Sequence, residues 1–273
     1  MNYWVEVEKN VSLYVEDLNP EGKETILFIH GWPLNHDAFE YQYNELPNRN
    51  VRCIGVDTRG FGKSSRPISG YDYDSLADDI HAVIESLNLN HIILAGHSMG
   101  GAIAIRYMSR YNQAHVKQLV LIGAAAPSLI RRKGFNFGTA KSSIDDLIEQ
   151  ASTNRPQMLS NFSNMCFFQF VTDALTNWFS FLGLQAAGYA TILCAITFRD
   201  EVLFEDLPKI TVPTLIIHGV HDRIASYSLA LILKQSIRNA TILPFEQSGH
   251  MPFYEEKQKF NQALLDFIKK PAQ

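Results

Sequence analysis

A serine flanked by glycines is the strongest chemical signal in the sequence. The run Gly96-His97-Ser98-Met99-Gly100 has the G-x-S-x-G pattern and lies between an apolar run, HIILA, and a run with helical spacing, GGAIAIRYMSRY. A nucleophile on a sharp strand-to-helix turn needs small neighbours so that the flanking chains can approach, and the helix start directs free N–H groups at developing negative charge. The pattern therefore predicts Ser98 as a nucleophile, in preference to a serine that only makes a turn.

A serine hydroxyl needs a base, and nine histidines compete for that role. Position explains most of them. His81 lies inside a helix pattern, His97 is beside the serine, and His36, His91 and His115 lie at surface turns or element ends. His30 and His218 each precede a glycine at a strand end, where backbone packing explains them. Of the remaining two, His221 and His250, the second follows the run ATILPF within Gln-Ser-Gly-His-Met-Pro. We predict His250 as the base; the alternative is a polar residue at a helix start.

The acid that orients the base is expected between the nucleophile and the histidine in chain order. Asp222 follows the run TLIIHG and so lies beyond the carboxyl end of a strand. The other usual position for the acid has no carboxylate, because the run LVLIGAAAP contains none. We predict Asp222 as the acid and His221 as its loop neighbour; a turn or helix-cap role is the alternative for Asp222.

Two backbone N–H groups are expected to receive the oxyanion that forms during attack on a carbonyl. One belongs to Met99, the residue after the nucleophile. The other is expected in the loop after ILFIHG, where Trp32 is the donor because Pro33 has no N–H. Packing of the loop is a second, compatible role for Trp32.

Alternating strands and helices must hold these residues. Residues 4–17 are typical of two strands around a Lys9-Asn10 turn, and ETILFIHG, VRCIGVD, HIILAGHS, VKQLVLIGA, TLIIHG and ATILPF are typical of buried strands. Helices are predicted near residues 37–46, over SLADDIHAVIESLNL and GGAIAIRYMSRY, between the last two strands, and over the tail from PFYEE to FIKK. This order predicts an α/β fold with a mostly parallel, doubly wound sheet and an active site at the carboxyl ends of its strands.

Residues 127–206 interrupt the alternation. The segment contains basic RRK, the helix-like KSSIDDLIEQAS and a group of large aromatic residues: Phe162, Phe167, Phe168, Phe170, Trp178, Phe179 and Phe181. A loop of about 80 residues without structure is implausible, so we predict a helical cap inserted after the sixth strand and lying over the sheet edge. Residues 1–126 and 207–273 are then the core domain.

Four residues are predicted to line a substrate pocket: Phe162, Phe168 and Trp178 of the cap, and Ile224 after the acid. Core packing of the cap helices is the alternative for most individual rings. The charge-free stretch 174–198 is long enough to cross a bilayer, but it contains Asn177 and Gln185 and lies between motifs that must meet. We expect no membrane span.

The motifs HGWPLN, VDTRGFGKSSRP, GHSMGGAIAIRY, PTLIIHGVHDRIAS and SGHMPFYEE together resemble the α/β-hydrolase superfamily, and within it the bacterial arylesterase and metal-free (non-haem) haloperoxidase branch. The resemblance runs from about Glu24 to the C-terminus and weakens through the insertion. It implies an α/β-hydrolase fold with Ser98, Asp222 and His250 as the catalytic residues and the main chain of Trp32 and Met99 as the oxyanion donors. Dehalogenase and epoxide-hydrolase relatives carry aspartate at the elbow, so the serine argues against both activities.

The resulting hypothesis is a serine hydrolase that cleaves small, apolar or aryl carboxylic esters through an acyl-enzyme. Alternatives with the same residues are perhydrolysis, a lactonase, a carbon–carbon bond hydrolase, or a ligand receptor with slow turnover. The aromatic, nearly charge-free cap departs from the family pattern, so substrate preference is not carried over.

Composition excludes several other classes. The 273 residues carry 24 Lys+Arg and 28 Asp+Glu, a net charge of −4, and no basic stripe suits a nucleic acid. Three separated cysteines, Cys53, Cys166 and Cys194, lack metal or disulfide spacing, and no phosphate loop or dinucleotide fingerprint occurs. We therefore expect no cofactor or metal and, because the N-terminus does not have a leader pattern, a cytoplasmic enzyme.

Overall fold

The computed structural model describes residues 1–269, in which eight strands form one sheet in the order β1-β2-β4-β3-β5-β6-β7-β8. The strands are β1 Asn2–Glu8, β2 Val11–Leu18, β3 Glu24–Ile29, β4 Val51–Val56, β5 Ile92–His97, β6 Val116–Ile122, β7 Thr214–Gly219 and β8 Ala240–Phe245. β2 is antiparallel to both of its neighbours, and the pairs from β4 to β8 are parallel. The predicted mostly parallel sheet is confirmed.

Helices cover both faces and the carboxyl edge of the sheet. The α-helices are α1 Glu40–Tyr43, α2 Tyr73–Ser86, α3 Met99–Arg110, α4 Lys141–Thr153, α5 Arg155–Met165, α6 Asp173–Leu184, α7 Gly188–Asp200, α8 Tyr227–Ser236, α9 Pro252–Glu255 and α10 Lys257–Ile268. Short 3₁₀ helices occupy His36–Phe39, Leu46–Arg49 and Leu207–Lys209. Strands β5 and β7 are buried along their whole length, as expected for strands covered on both faces.

Two predicted helices differ from those observed. The helix expected near residues 37–46 is a 3₁₀ turn followed by α1, which ends at Tyr43; continuing it would bring the ring of Pro47 against the Tyr43 carbonyl. The tail is two helices instead of one, because Glu256 leaves helical geometry at φ −122°, ψ 49°. Its carboxylate instead accepts hydrogen bonds from the Gln247 N–H and the Ser248 hydroxyl.

Four helices, α4 to α7, lie between β6 and β7, where the sequence predicts an insertion. They contact the segments that follow β3 and β4: the Asn35 side chain is 2.6 Å from that of Gln185, and the Ala187 N–H donates to the Gly60 carbonyl at 2.8 Å. The domain boundaries at 126/127 and 206/207 stay a prediction. Residues 270–273, which end the predicted core segment, lie outside the described residues.

The charge-free stretch 174–198 falls on α6 and α7. Within residues 1–269, none of the helices taken singly is long and apolar enough to cross a membrane. The pair α6 and α7 together has sufficient length and apolar composition, but the two helices are bent by 95° at their break.

Candidate active site

Ser98 lies on a sharp turn between β5 and α3. Its backbone has φ 54° and ψ −117°, a region that residues with a side chain rarely occupy. A Cβ added to Gly96 would lie 2.3 Å from the Gly100 carbonyl oxygen, and one added to Gly100 would lie 2.3 Å from the Ile29 carbonyl oxygen. The glycines are therefore needed for the close approach of strand and helix, as the motif predicts.

The side chains of Asp222 and His250 are hydrogen-bonded to each other although the two residues follow different strands. The Nδ1 atom of His250 is 2.7 Å from Oδ2 of Asp222, and both side chains are buried. Because an ionised carboxylate only accepts hydrogen bonds, Nδ1 carries the proton and Nε2 is free to act as a base. Nε2 is buried and has no hydrogen-bond partner among the described residues, an arrangement that leaves its lone pair for a ligand or a serine proton.

Several donors surround the carboxylate of Asp222. Oδ1 accepts hydrogen bonds from the N–H groups of Ile224 at 2.8 Å and Ala225 at 2.9 Å. Burial by itself would raise the pKa of Asp222, but His250 and the hydrogen bonds from the two histidine rings hold that pKa well below its usual range. The carboxylate thus stays ionised and can stabilise an imidazolium at His250.

The second of those rings is His218, which the sequence analysis assigned to backbone packing. Its Nε2 is 2.6 Å from the Ala225 carbonyl oxygen and 3.2 Å from Oδ2 of Asp222. His218 and Asp222 are four residues apart in sequence, on either side of the end of β7. This spacing is the sequence signal that could have identified His218 as a partner of Asp222.

His97 lies against His250. Its Nε2 is 3.0 Å from the His250 carbonyl oxygen, and the two ring centroids are 4.7 Å apart. Burial, together with the neighbouring His250, holds the pKa of His97 well below the ordinary histidine value. The His97 ring is therefore neutral, and its Nε2–H donates to the His250 carbonyl oxygen.

The loop after β3 lies directly against the turn at Ser98. A Cβ added to Gly31 would lie 3.0 Å from the Ser98 Cβ, and the Trp32–Pro33 peptide is cis. The backbone N–H groups of Trp32 and Met99 belong to buried residues and make no hydrogen bond within residues 1–269. Unpaired buried N–H groups are rare, so these two are available to an oxygen atom placed near Ser98.

The Trp32 side chain links this loop to the helices above it. Its Nε1–H donates to the Thr191 carbonyl at 2.9 Å, and its ring packs edge-on against Phe162 and Phe198 at 5.1 and 5.4 Å. The predicted packing role of Trp32 therefore accompanies its free backbone N–H.

A cavity of about 250 Å³ opens onto Ser98. Its floor includes Trp32 and Met99, and the helices between β6 and β7 contribute mainly apolar side chains, among them Ile144, Leu147, Phe162 and Phe198. Polar groups in the wall are few: Thr139, Ser143 and Arg223. The cavity is smaller than a typical drug-sized pocket and suits a small, largely apolar ligand.

Two of the four predicted pocket residues, Phe162 and Ile224, line this cavity, whereas Phe168 and Trp178 are not among its lining residues. Phe168 is 42% exposed and stacks on His221 with ring centroids 3.6 Å apart. Trp178 precedes Phe179 on α6, and neighbours on a helix point about 100° apart. The inward position belongs to Phe179, which is buried against Phe167.

His36, which the sequence analysis placed at a surface turn or an element end, begins the first 3₁₀ helix but does not lie at the surface. The ring is fully buried, with Nδ1 2.6 Å from Asp57 and Nε2 2.9 Å from Glu16 and 3.2 Å from Asp37. Burial would lower the pKa of His36, but these carboxylates raise it above the ordinary value. The Glu16, His36 and Asp37 side chains have the types and proximity of metal ligands. The imidazolium is itself the cation that these carboxylates surround.

The fold and this arrangement define the class of protein. Residues 24–257 match the model of the alpha/beta hydrolase fold family, and the chain belongs to that family, in its esterase and haloperoxidase branch.

Particular relatives extend over the whole chain. The AB hydrolase superfamily protein YisY of Bacillus subtilis is 49% identical, with 98% of this chain and 99% of the relative covered. The non-heme chloroperoxidase CPO-A1 of Kitasatospora aureofaciens is 31% identical, with coverage of 90% and 92%. Among solved structures, an esterase from Exiguobacterium antarcticum is 40% identical and superposes with a TM-score of 0.96, covering 99% of this chain and 100% of the other.

Proposed function

We propose that this hydrolase is a serine carboxylesterase for small, apolar or aryl esters. The observation that carries the proposal is the hydrogen bond from His250 to Asp222 at 2.7 Å, which leaves the buried Nε2 of His250 without a partner among the described residues. Ser98, on the strained turn, opens onto the cavity. Similarity to a solved esterase supports the same reaction class.

In the proposed mechanism, His250 Nε2 removes the Ser98 proton as Oγ attacks the acyl carbon. The carbonyl oxygen becomes an oxyanion that accepts hydrogen bonds from the N–H groups of Trp32 and Met99. The imidazolium, stabilised by Asp222, then protonates the leaving alcohol. In the second half His250 activates water, which releases the carboxylic acid and restores the Ser98 hydroxyl.

The test compares the wild type with Ser98→Ala on 4-nitrophenyl butanoate and phenyl acetate. We expect kcat/KM to fall on the order of 10⁴-fold in Ser98→Ala, because only binding and oxyanion stabilisation would remain. Ser152→Ala, a change of the same type on the outer part of α4, serves as the matched control and should keep wild-type rates. Mass spectrometry after a fluorophosphonate should find the label on Ser98. Near-normal turnover by pure Ser98→Ala protein would refute the proposal.

Perhydrolysis is a second candidate function, favoured by the similarity to a non-heme chloroperoxidase. In that reaction hydrogen peroxide replaces water: one peroxide oxygen bonds to the acyl carbon, the bond to Ser98 Oγ breaks, and a peracid leaves. The peracid then oxidises halide to hypohalous acid and returns to the carboxylic acid.

Bromide oxidation in the presence of acetate and hydrogen peroxide tests this second reaction. We expect it to require both acetate and Ser98, as the acyl-enzyme route demands. Bromide oxidation that proceeds without any carboxylic acid, or that persists in Ser98→Ala, would exclude the route.

A further inference from the structure

Among the described residues that line the cavity, Arg223 is the one with a cationic side chain. It directly follows Asp222, at the carboxyl end of β7, and shares the cavity wall with Ser98. The rest of the wall is apolar apart from the nucleophile and the hydroxyl groups of Thr139 and Ser143. Arg223 as a whole is exposed, so its guanidinium is hydrated and stays charged where it reaches the cavity wall.

The chain provides no anionic partner for Arg223 within residues 1–269. One terminal nitrogen of Arg223 donates to the Phe167 carbonyl at 2.7 Å, and the side chain forms no ion pair with the described carboxylates. Some other arginines are paired, such as Arg59 with Asp79 and Arg52 with Asp17, both at 2.6 Å. Arg131, like Arg223, forms no ion pair within residues 1–269 and donates to a backbone carbonyl.

Carboxylates in the same region are already committed. Asp222 accepts hydrogen bonds from His250 and from two backbone N–H groups. Glu255 accepts from the backbone N–H groups of Phe168, Gln169 and Gly249. The positive charge of Arg223 is therefore left uncompensated by a direct contact at the cavity wall, and its remaining N–H groups can receive an anion.

We propose that Arg223 is a specificity-determining residue that binds a carboxylate carried by the substrate, so that the preferred esters have an apolar body and one anionic end. The inference rests on the proposed esterase function and narrows it. A planar guanidinium binds a carboxylate through paired N–H groups, which neutral esters of the same shape cannot use. The hydroxyl groups of Thr139 and Ser143, which make no side-chain hydrogen bond within residues 1–269, are additional donors in the same cavity.

The test uses two pairs of esters that differ only in charge. The first pair is 4-nitrophenyl hydrogen glutarate and 4-nitrophenyl methyl glutarate, which places the anion on the acyl side. The second is 4-acetoxybenzoate and its methyl ester, which places it on the leaving-group side. We expect the wild type to prefer the anionic member of at least one pair by about tenfold in kcat/KM, mainly through KM, with the preference shrinking as ionic strength rises.

Three variants separate charge from structure. Arg223→Gln keeps an N–H donor for the Phe167 carbonyl but removes the charge, so it should lose the preference for the anionic esters, with a much smaller change in its rate on the neutral ones. Arg223→Lys should restore part of the preference. Arg131→Gln is the matched control, because Arg131 is exposed, also donates to one backbone carbonyl (that of Gly138, at 3.1 Å) and does not line the cavity.

The outcomes distinguish this inference from the proposed function. Equal rates on both members of both pairs, or a preference that survives in Arg223→Gln, would overturn the role of Arg223 while Ser98-dependent hydrolysis of the neutral esters stands. Absence of Ser98-dependent hydrolysis on all four esters would refute the esterase itself. An equal loss on neutral and anionic esters in Arg223→Gln would show that the residue only holds the loop near Phe167, and would also overturn the inference.

Discussion

At the scale of single residues, the candidate site depends on the hydrogen-bond partners of the Asp222 and His250 side chains. Asp222 accepts hydrogen bonds on both oxygens, and within residues 1–269 His250 has a hydrogen-bond partner on Nδ1 but none on Nε2. Each proton in the proposed reaction therefore has a defined donor and acceptor. The supporting rings, His97 and His218, contact the main chain or the carboxylate of this pair and do not line the cavity.

His218 gives a prediction at this scale. We expect His218→Phe to lower kcat about 3- to 10-fold with little change in KM, because it removes an N–H near Oδ2 of Asp222 and leaves the Ala225 carbonyl without its donor. The acid limb of the pH–rate profile should move to higher pH, since a carboxylate with fewer hydrogen bonds holds a neighbouring imidazolium more tightly.

A rescue variant separates this positioning role from simple packing. His218→Gln retains an N–H donor and should recover a large part of kcat. If His218→Phe has a wild-type pH–rate profile and loses only thermal stability, then His218 does not act through Asp222.

At the scale of elements, the turn after β8 is held to the segment between α5 and α6. The His250 N–H donates to the Cys166 carbonyl at 2.7 Å. Glu255, on α9, joins the same two segments, because one oxygen accepts from the N–H groups of Phe168 and Gln169 and the other from that of Gly249. The position of His250 thus depends on a segment distant in sequence.

We predict that Glu255→Gln disturbs this connection. The amide has a single acceptor oxygen, so its NH₂ group would face a backbone N–H and leave unpaired either the donor of buried Gly249 or those of exposed Phe168 and Gln169, at a cost of about 1 kcal/mol in the free energy of unfolding. Activity should fall with stability, because the turn that carries His250 loosens. Urea unfolding and steady-state kinetics measure the two effects.

Glu246→Gln is the control for the loss of one negative charge, since Glu246 is exposed and accepts no hydrogen bond within residues 1–269. It should resemble the wild type in both assays. If Glu255→Gln and Glu246→Gln behave alike, the connection through Glu255 does not hold the turn.

At the scale of the whole molecule, buried histidines link stability to pH. The His30 ring is fully buried, and its Nε2 accepts a hydrogen bond from the Thr58 N–H at 3.1 Å. Burial, which disfavours the charged form of the ring, lowers the pKa of His30 from about 6.5 to about 4. The pKa of His97 is lowered in the same direction, first of all by burial.

The sign of the effect follows from proton uptake. Between about pH 6.5 and 4 the unfolded chain binds protons that native His30 and His97 do not, so the free energy of unfolding should fall as the pH falls. His30 alone contributes up to about 3 kcal/mol across this window. Urea unfolding at pH 7, 6 and 5 measures the slope.

The slope should be reduced in His30→Gln, which can still accept from the Thr58 N–H, and unchanged in His91→Asn, a substitution at an exposed histidine. A slope in His30→Gln equal to that of the wild type would rule out the contribution of His30.

The cavity between sheet and helices sets a limit on substrate size. With a volume of about 250 Å³, it has more room than a cavity of roughly 150 Å³, which holds benzene. We expect kcat/KM for 4-nitrophenyl esters to rise up to about fourfold per methylene from acetate, and then to fall once the cavity is full.

Leu147→Ala, which removes part of one wall, should move the optimum to longer acyl chains. Equal rates from acetate to octanoate, or an optimum that Leu147→Ala does not move, would contradict a size-selective cavity.

The sequence by itself determined the strands, their mostly parallel arrangement and the residues that follow their carboxyl ends. Alternation of buried runs and helical patterns is a local property, and the glycines around Ser98 reflect a steric need that any copy of this turn shares. For the same reason Asp222 and His250 could be selected by their places after strands. Their catalytic roles and the boundaries of the cap stay predictions.

Only the tertiary structure decided which side chains share a space. Phe162 reaches the cavity while Phe168 and Trp178 do not, His36 is buried among carboxylates, and Arg223 lines the cavity without a carboxylate partner within residues 1–269. These outcomes depend on contacts between segments far apart in the chain, as between Glu255 and the segment at Phe168. Periodicity assigns a residue to a face of its own element, but the packing of that element against others decides what the face meets.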